Sequence, residues 1–138
     1  MAVATAATFV WLGMVLAISF LEAPLKFRAP GVTTVIGLGI GRLVFRALNV
    51  AEGVLALVVV AALLVAGVPA GPTVAVGVLV VLLLVQLGVV RPRLNRRSDR
   101  VLAGEDAPRS RLHLAYIGLE VVKVLALVVL GVLLLGGA

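Results

Sequence analysis

Ten side chains in this sequence have the chemistry to bind or exchange something: Glu22, Arg42, Arg46, Asn49, Glu52, Gln86, His113, Tyr116, Glu120 and Lys123. They stand in apolar surroundings, where a charged or strongly polar side chain is costly and marks either a function or a structural lock. At about 100° per residue, His113, Tyr116, Glu120 and Lys123 share an arc of about 80° on one helix face. Arg42, Arg46, Asn49 and Glu52 share an arc of about 120° on another, if that helix is continuous. Glu22, Glu52 and Glu120, with His113 and Tyr116 beside them, would line a site for a small polar ligand, a cation or protons. The alternative is an internal network of ion pairs: Glu120 with Lys123, Glu52 with Arg46 or Arg42, and Glu22 with Lys26. Such pairs neutralise charge and hold helix order without any ligand.

Residue types exclude other chemistry. There is no cysteine, hence no disulfide and no thiolate, and a single histidine rules out a His-rich metal site within one chain. Neither the paired Glu-x-x-His motifs of a di-metal bundle nor a Ser-His-Asp arrangement can be assembled. Gly37, Gly39 and Gly41 lack the preceding strand and following Lys of a phosphate loop, so Gly37 and Gly41 predict close helix packing instead. No motif identifies a cofactor, and no metal site is expected.

The elements that must hold these residues are membrane helices. Of 138 residues, 63% are apolar and only 13% charged, with a mean hydropathy of +1.29. Soluble domains are about half apolar and a quarter charged. A spanning helix needs about 20 apolar residues, so the chain has room for four spans and little else. Residues 1–21 carry no charge and no Lys or Arg precedes Lys26, unlike the basic start of a secretory signal, so this segment reads as a retained first span. The uncharged run 53–90 is too long for one span and must fold back at Gly67, Pro69, Gly71 and Pro72. The expectation is a single all-α domain over 1–138, four transmembrane helices in an antiparallel bundle. The spans fall at about 4–27, 50–67, 73–90 and 111–136. In the stretch 31–49, Val32, Val35, Ile36, Ile40, Leu43 and Val44 recur at helical spacing, which predicts an amphipathic interfacial segment before the second span. Within 91–110, polar residues predict a loop with a short helix around 93–102. Pro24 should kink the end of the first span by removing a backbone bond to Phe20.

The net charge of +6 is explained by topology rather than by nucleic acid. Lys26, Arg28, Arg42 and Arg46 lie between the first two spans. Arg91, Arg93, Arg96, Arg97, Arg100, Arg109 and Arg111 lie between the last two. The positive-inside rule places these basic loops, about 28–49 and 91–110, in the cytoplasm, with both termini outside a cytoplasmic membrane. There they face the anionic lipids of the inner leaflet. All ten candidate residues then lie in the cytoplasmic half of the bundle. Homo-oligomerisation, or assembly into a larger membrane complex, stays open.

Two resemblances bear on function. Phe20, Leu21, Glu22, Ala23, Pro24, Leu25, Lys26 and Phe27, the Gly-rich helix ending in Phe45, and Arg91, Pro92, Arg93 and Leu94 followed by His113 and Tyr116 form one pattern. It resembles small four-span bacterial membrane proteins related to human transmembrane protein 205. That likeness implies a four-helix membrane protein, with a link to export or resistance in the human relative. The run Phe45, Arg46, Ala47, Leu48, Asn49, Val50, Ala51, Glu52 is similar to the Arg-Ala-x-x-Asn-x-x-Glu signature of membrane-associated eicosanoid and glutathione metabolism enzymes. Those are four-span trimers, and the likeness implies that Arg46, Asn49 and Glu52 bind glutathione. Here Arg-Ala stands one residue too close, and Gly53 and Val54 replace the usual aromatic-Pro pair. The expected function is binding or transport of a small ligand or ion at a polar site in the cytoplasmic half. A glutathione-dependent membrane enzyme and a structural subunit or assembly factor are the alternatives.

Overall fold

A computed structural model describes residues 1–67, 69–104 and 111–137. Asp106, Pro108 and Arg109 of the second basic loop lie outside the described residues. Lipid offers the backbone no hydrogen bonds, so an apolar chain satisfies its amides and carbonyls within helices. In order these are α1 (Ala2–Val15), a π-helical segment (Leu16–Glu22), α2 (Ala23–Lys26), α3 (Thr34–Val65), α4 (Ala70–Val85), a second π-helical segment (Gln86–Val90), α5 (Arg91–Leu102) and α6 (Arg111–Gly136). Joined end to end, they make four helices long and apolar enough to cross a membrane: Ala2–Lys26, Thr34–Val65, Ala70–Leu102 and His113–Gly136. No strand occurs among the described residues. The chain is a multi-pass membrane protein by length and composition of these helices.

No proline falls between residues 34 and 65, so the stretch before residue 50 runs on into the second span as one unbroken helix. Thr33 starts it, its side chain accepting from the Ile36 amide at 3.2 Å, a normal N-terminal cap. The early part of α3 packs on α2: a Cβ on Gly37 would fall on the Phe27 ring, and one on Gly41 would lie 2.9 Å from Lys26 Nζ. The packing predicted for these two glycines is what places Lys26 and Phe27. Likewise, the polar stretch after the third span is helical from Arg91 onward and continues that span, rather than starting as a loop. The turn between α3 and α4 is made at Gly67, whose φ of +91° suits glycine. Pro72 sits in the first turn of α4, where its missing amide has no helical partner to lose.

Each π-helical segment ends two residues before a proline, Pro24 and Pro92. The amide of Ala23 reaches back to the Ile18 carbonyl, and that of Arg91 to the Gln86 carbonyl, both five residues away. A proline removes one backbone donor and crowds the carbonyl four residues earlier, and widening the preceding turn relieves that crowding. The kink expected at Pro24 therefore takes the form of a register shift, and the same device recurs at Pro92.

The core is built from Ala4, Ala7, Trp11 and Val15 of α1, Ala56, Val59 and Leu63 of α3, Val76, Leu79 and Leu83 of α4, and Leu127, Leu130 and Leu134 of α6. On every helix these recur at three- and four-residue spacing, the period of one helix face. Equally apolar residues such as Leu57 and Leu125 point outward, away from the packed helices.

Candidate functional site

Toward the end of the molecule that carries the basic residues, the apolar core gives way to a polar cluster fed by all four long helices. Lys123 of α6 is at its centre and has no exposed surface. Its Nζ lies 2.6 Å from Oε1 of Glu52 on α3 and 2.6 Å from Oε1 of Glu120 one turn before it. The same ammonium donates to Oε1 of Gln86 at 2.8 Å, and the Gln86 amide donates to Glu120 Oε1 at 2.7 Å. Ser19 donates to the other oxygen of Glu120 at 2.7 Å. The indole of Trp11 donates to Glu52 Oε1 at 3.0 Å. Ser19 and Gln86 come from the two π-helical segments, so the proline-induced shifts supply one partner each.

The cluster holds two carboxylates and one ammonium, all buried. Oxygens of Glu52, Glu120 and Gln86 surround Lys123 with short contacts. That geometry offsets part of the large desolvation penalty of burying charge. Glu120 is fully served: both its oxygens accept hydrogen bonds. Glu52 is not, because its Oε2 is buried without a partner. One carboxylate charge is left without a cation of its own.

Beside the cluster, nearer the basic end, a cavity of about 460 Å³ opens between α2, α3, α5 and α6. Ser19 and Glu120 belong to its wall, so the cavity and the buried cluster share two residues. Lys26, Arg42, Arg91 and Arg97 bring positive charge to it, and His113 an imidazole. Phe20, Phe27, Phe45 and Tyr116 bring aromatic surface. Arg42 is paired with Asp99 of α5, and Lys26 with Glu22 at 3.6 Å. A second, shallow groove of about 590 Å³ between α4 and α6 is lined by Ala, Gly, Val and Leu alone and offers no chemistry.

Of the residues singled out in the sequence, Glu52, Gln86, Glu120 and Lys123 meet in the cluster. Arg42, His113 and Tyr116 line the cavity. Glu22 stands behind it through Lys26. The polar stripe inferred on the last span is therefore inward-facing along its length. Arg46 is exposed and Asn49 half-buried, and neither lines the cavity. Glu52 pairs across the molecule with Lys123, not along its own helix with Arg46 or Arg42. Glu120 with Lys123 and Glu22 with Lys26 do pair as neighbours one turn apart.

Trp11, Ser19 and Arg91 also belong to the site but are not among the ten candidates. Ser19 is a polar residue of the first span that stands near the candidate Glu22, and Trp11 suits packing or an interfacial anchor equally well. Arg91 was hidden among the basic residues that set topology. The prolines at 24 and 92 were the available signal, since each marks where a helix must change register.

In comparisons with known proteins, this chain matches no protein-family model, no curated protein and no solved structure.

Proposed function

We propose that the protein is a four-helix antiparallel bundle of the cytoplasmic membrane that binds and moves a small ligand or ion from the cytoplasmic side. In this reading the basic end faces the cytoplasm and both termini face outward, which the placement of Lys and Arg supports. The ion is a single monovalent cation, in its simplest form a proton, exchanged at the Glu52, Glu120 and Lys123 cluster. The observation that carries this reading is the double role of Glu120. Its carboxylate bonds Lys123 within the sealed cluster while its side chain lines the open cavity. Charge arriving in the cavity is thereby coupled to the pairing of Lys123 with Glu52. The unpartnered Glu52 Oε2 is the place for the missing positive charge. Beyond Trp11 the buried residues described are apolar apart from Thr8, whose hydroxyl bonds the Ala4 carbonyl, which favours access from the cavity side.

The test is proton movement in proteoliposomes holding a lumenal pH dye, driven by a potassium diffusion potential. Wild type should carry protons. Glu52→Gln and Glu120→Gln, chosen among preparations that keep their helical signal and elution volume, should not. Full flux in both variants, or none in wild type, would remove the reading and leave the cluster as a structural lock.

The glutathione alternative would need Arg46, Asn49 and Glu52 on one accessible surface. The burial of Glu52 beneath Trp11 and Lys123 argues for ion exchange instead.

A further inference from the structure

The basic side chains of the cavity differ in one respect. Lys26 and Arg42 each face a carboxylate, and Arg97 and His113 have interactions of their own. Arg91 faces no carboxylate among the described residues, and its Nε and Nη2 are both buried without a hydrogen-bond partner. Its guanidinium is instead held between two rings, Cζ lying 4.7 Å from the centre of Phe45 and 4.5 Å from that of Tyr116. Those rings meet edge to face at 86°, with centroids 6.0 Å apart, and form a corner that fixes the guanidinium plane.

Nε and Nη2 lie on the same edge of a guanidinium, and their two N–H groups point in parallel. That edge matches the two oxygens of a carboxylate or phosphate. A buried donor left unpaired costs about 1–3 kcal/mol, and more when charged. A side chain so held, with its binding edge unused, is prepared for an anion. The Tyr116 hydroxyl, also buried without a partner, adds a further donor on the same cavity. The remaining wall is largely apolar, with Phe20, Phe27, Leu38 and Ile117 among its residues. Its volume is in the usual range for a small-molecule site.

We propose that this cavity binds one organic oxyanion, a carboxylate or phosphate monoester with an apolar body. Arg91 takes the two oxygens through Nε and Nη2, and Phe27 and Phe45 cover the body. Such a group can come from a soluble metabolite or from the headgroup of a membrane lipid. Ser19, Gln86 and Lys123 already bond the Glu120 carboxylate, so its oxygens do not compete for the Arg91 donors. The site rests on Arg91 and its rings alone, so it stands or falls apart from ion movement through Glu52.

Two probes separate the sources. The full chain in phosphatidylcholine nanodiscs is titrated calorimetrically with phenyl phosphate. In parallel, nanodiscs containing dioleoyl phosphatidic acid are examined by native mass spectrometry for lipid retained per chain. One equivalent bound in either arm is expected. Arg91→Lys, which keeps the charge but not the fork, should weaken binding at least tenfold, and Arg91→Gln should abolish it. Arg93→Gln removes an exposed charge from the same helix and should leave affinity unchanged, while Glu52→Gln should stop ion flux without touching anion binding. No binding of either probe overturns the proposal. So does wild-type affinity in Arg91→Lys, or an equal loss in Arg93→Gln, which would mean surface charge alone.

Discussion

The indole N–H of Trp11 donates to Glu52 Oε1 across 3.0 Å, between residues 41 positions apart in the chain. It joins the apolar half of the molecule to the polar half, because Trp11 is also a member of the core. Trp11→Phe keeps an aromatic ring but removes the donor and part of the buried ring volume, so the loss includes a packing contribution. Glu52 would then depend on Lys123 alone. Stability should fall by about 1–3 kcal/mol for the lost buried hydrogen bond to a charged group, with the packing loss added to it. Thermal unfolding in a mild detergent, followed by circular dichroism, measures it.

Lys123 neutralises two carboxylates, so its loss should be felt more. Lys123→Met leaves Glu52 and Glu120 buried and uncompensated, and should cost about 3–5 kcal/mol. Combining it with Glu52→Gln and Glu120→Gln removes the uncompensated charges and should recover most of that loss. A triple variant as unstable as the single one would show that Lys123 acts through packing rather than charge.

Ser19 reaches Glu120 from the π-helical segment that precedes Pro24. Pro24→Ala restores a backbone donor and permits an ordinary α-helical turn, which would carry Ser19 away from Glu120. Ser19→Ala should therefore cost about 1.5–3 kcal/mol in wild type and close to nothing in Pro24→Ala. Additive losses in this double-mutant cycle would uncouple the proline from the hydroxyl.

Gly37 and Gly39 are two residues apart on α3 but meet different surroundings. The first faces the Phe27 ring, while a Cβ at the second meets nothing within 4 Å. Gly37→Ala should destabilise by about 1–3 kcal/mol through overpacking. Gly39→Ala should stabilise by about 0.5–1 kcal/mol, the helix preference for alanine. Paired melting curves decide between them.

The absence of cysteine makes the orientation easy to measure. Ala66→Cys lies by the turn between α3 and α4, and Arg96→Cys on the exposed face of α5. A membrane-impermeant maleimide added to intact spheroplasts should label the first and spare the second, and inverted vesicles should reverse the pattern.

Much of this protein is written into its order of residues. Apolar runs of spanning length, a Gly and Pro turn at 67–72 and charges confined to two stretches are sufficient to specify four membrane helices, because lipid allows the backbone almost nothing else. Helical spacing also places His113, Tyr116, Glu120 and Lys123 on one face, and that face does turn inward. Hydrophobicity could not show which apolar face packs and which meets lipid, since Leu127 and Leu125 are chemically the same residue in both environments. Nor could spacing along one helix choose partners between helices. Glu52 had Arg46 and Arg42 within two to three turns, yet it pairs with Lys123, 71 positions away. Only the packed helices bring Trp11, Ser19 and Gln86 onto that pair, and only they leave Arg91 between two rings with its donors unused. The physical reason is that burial makes every unmet charge expensive, and which charges are met is a property of contacts between helices that local sequence does not contain.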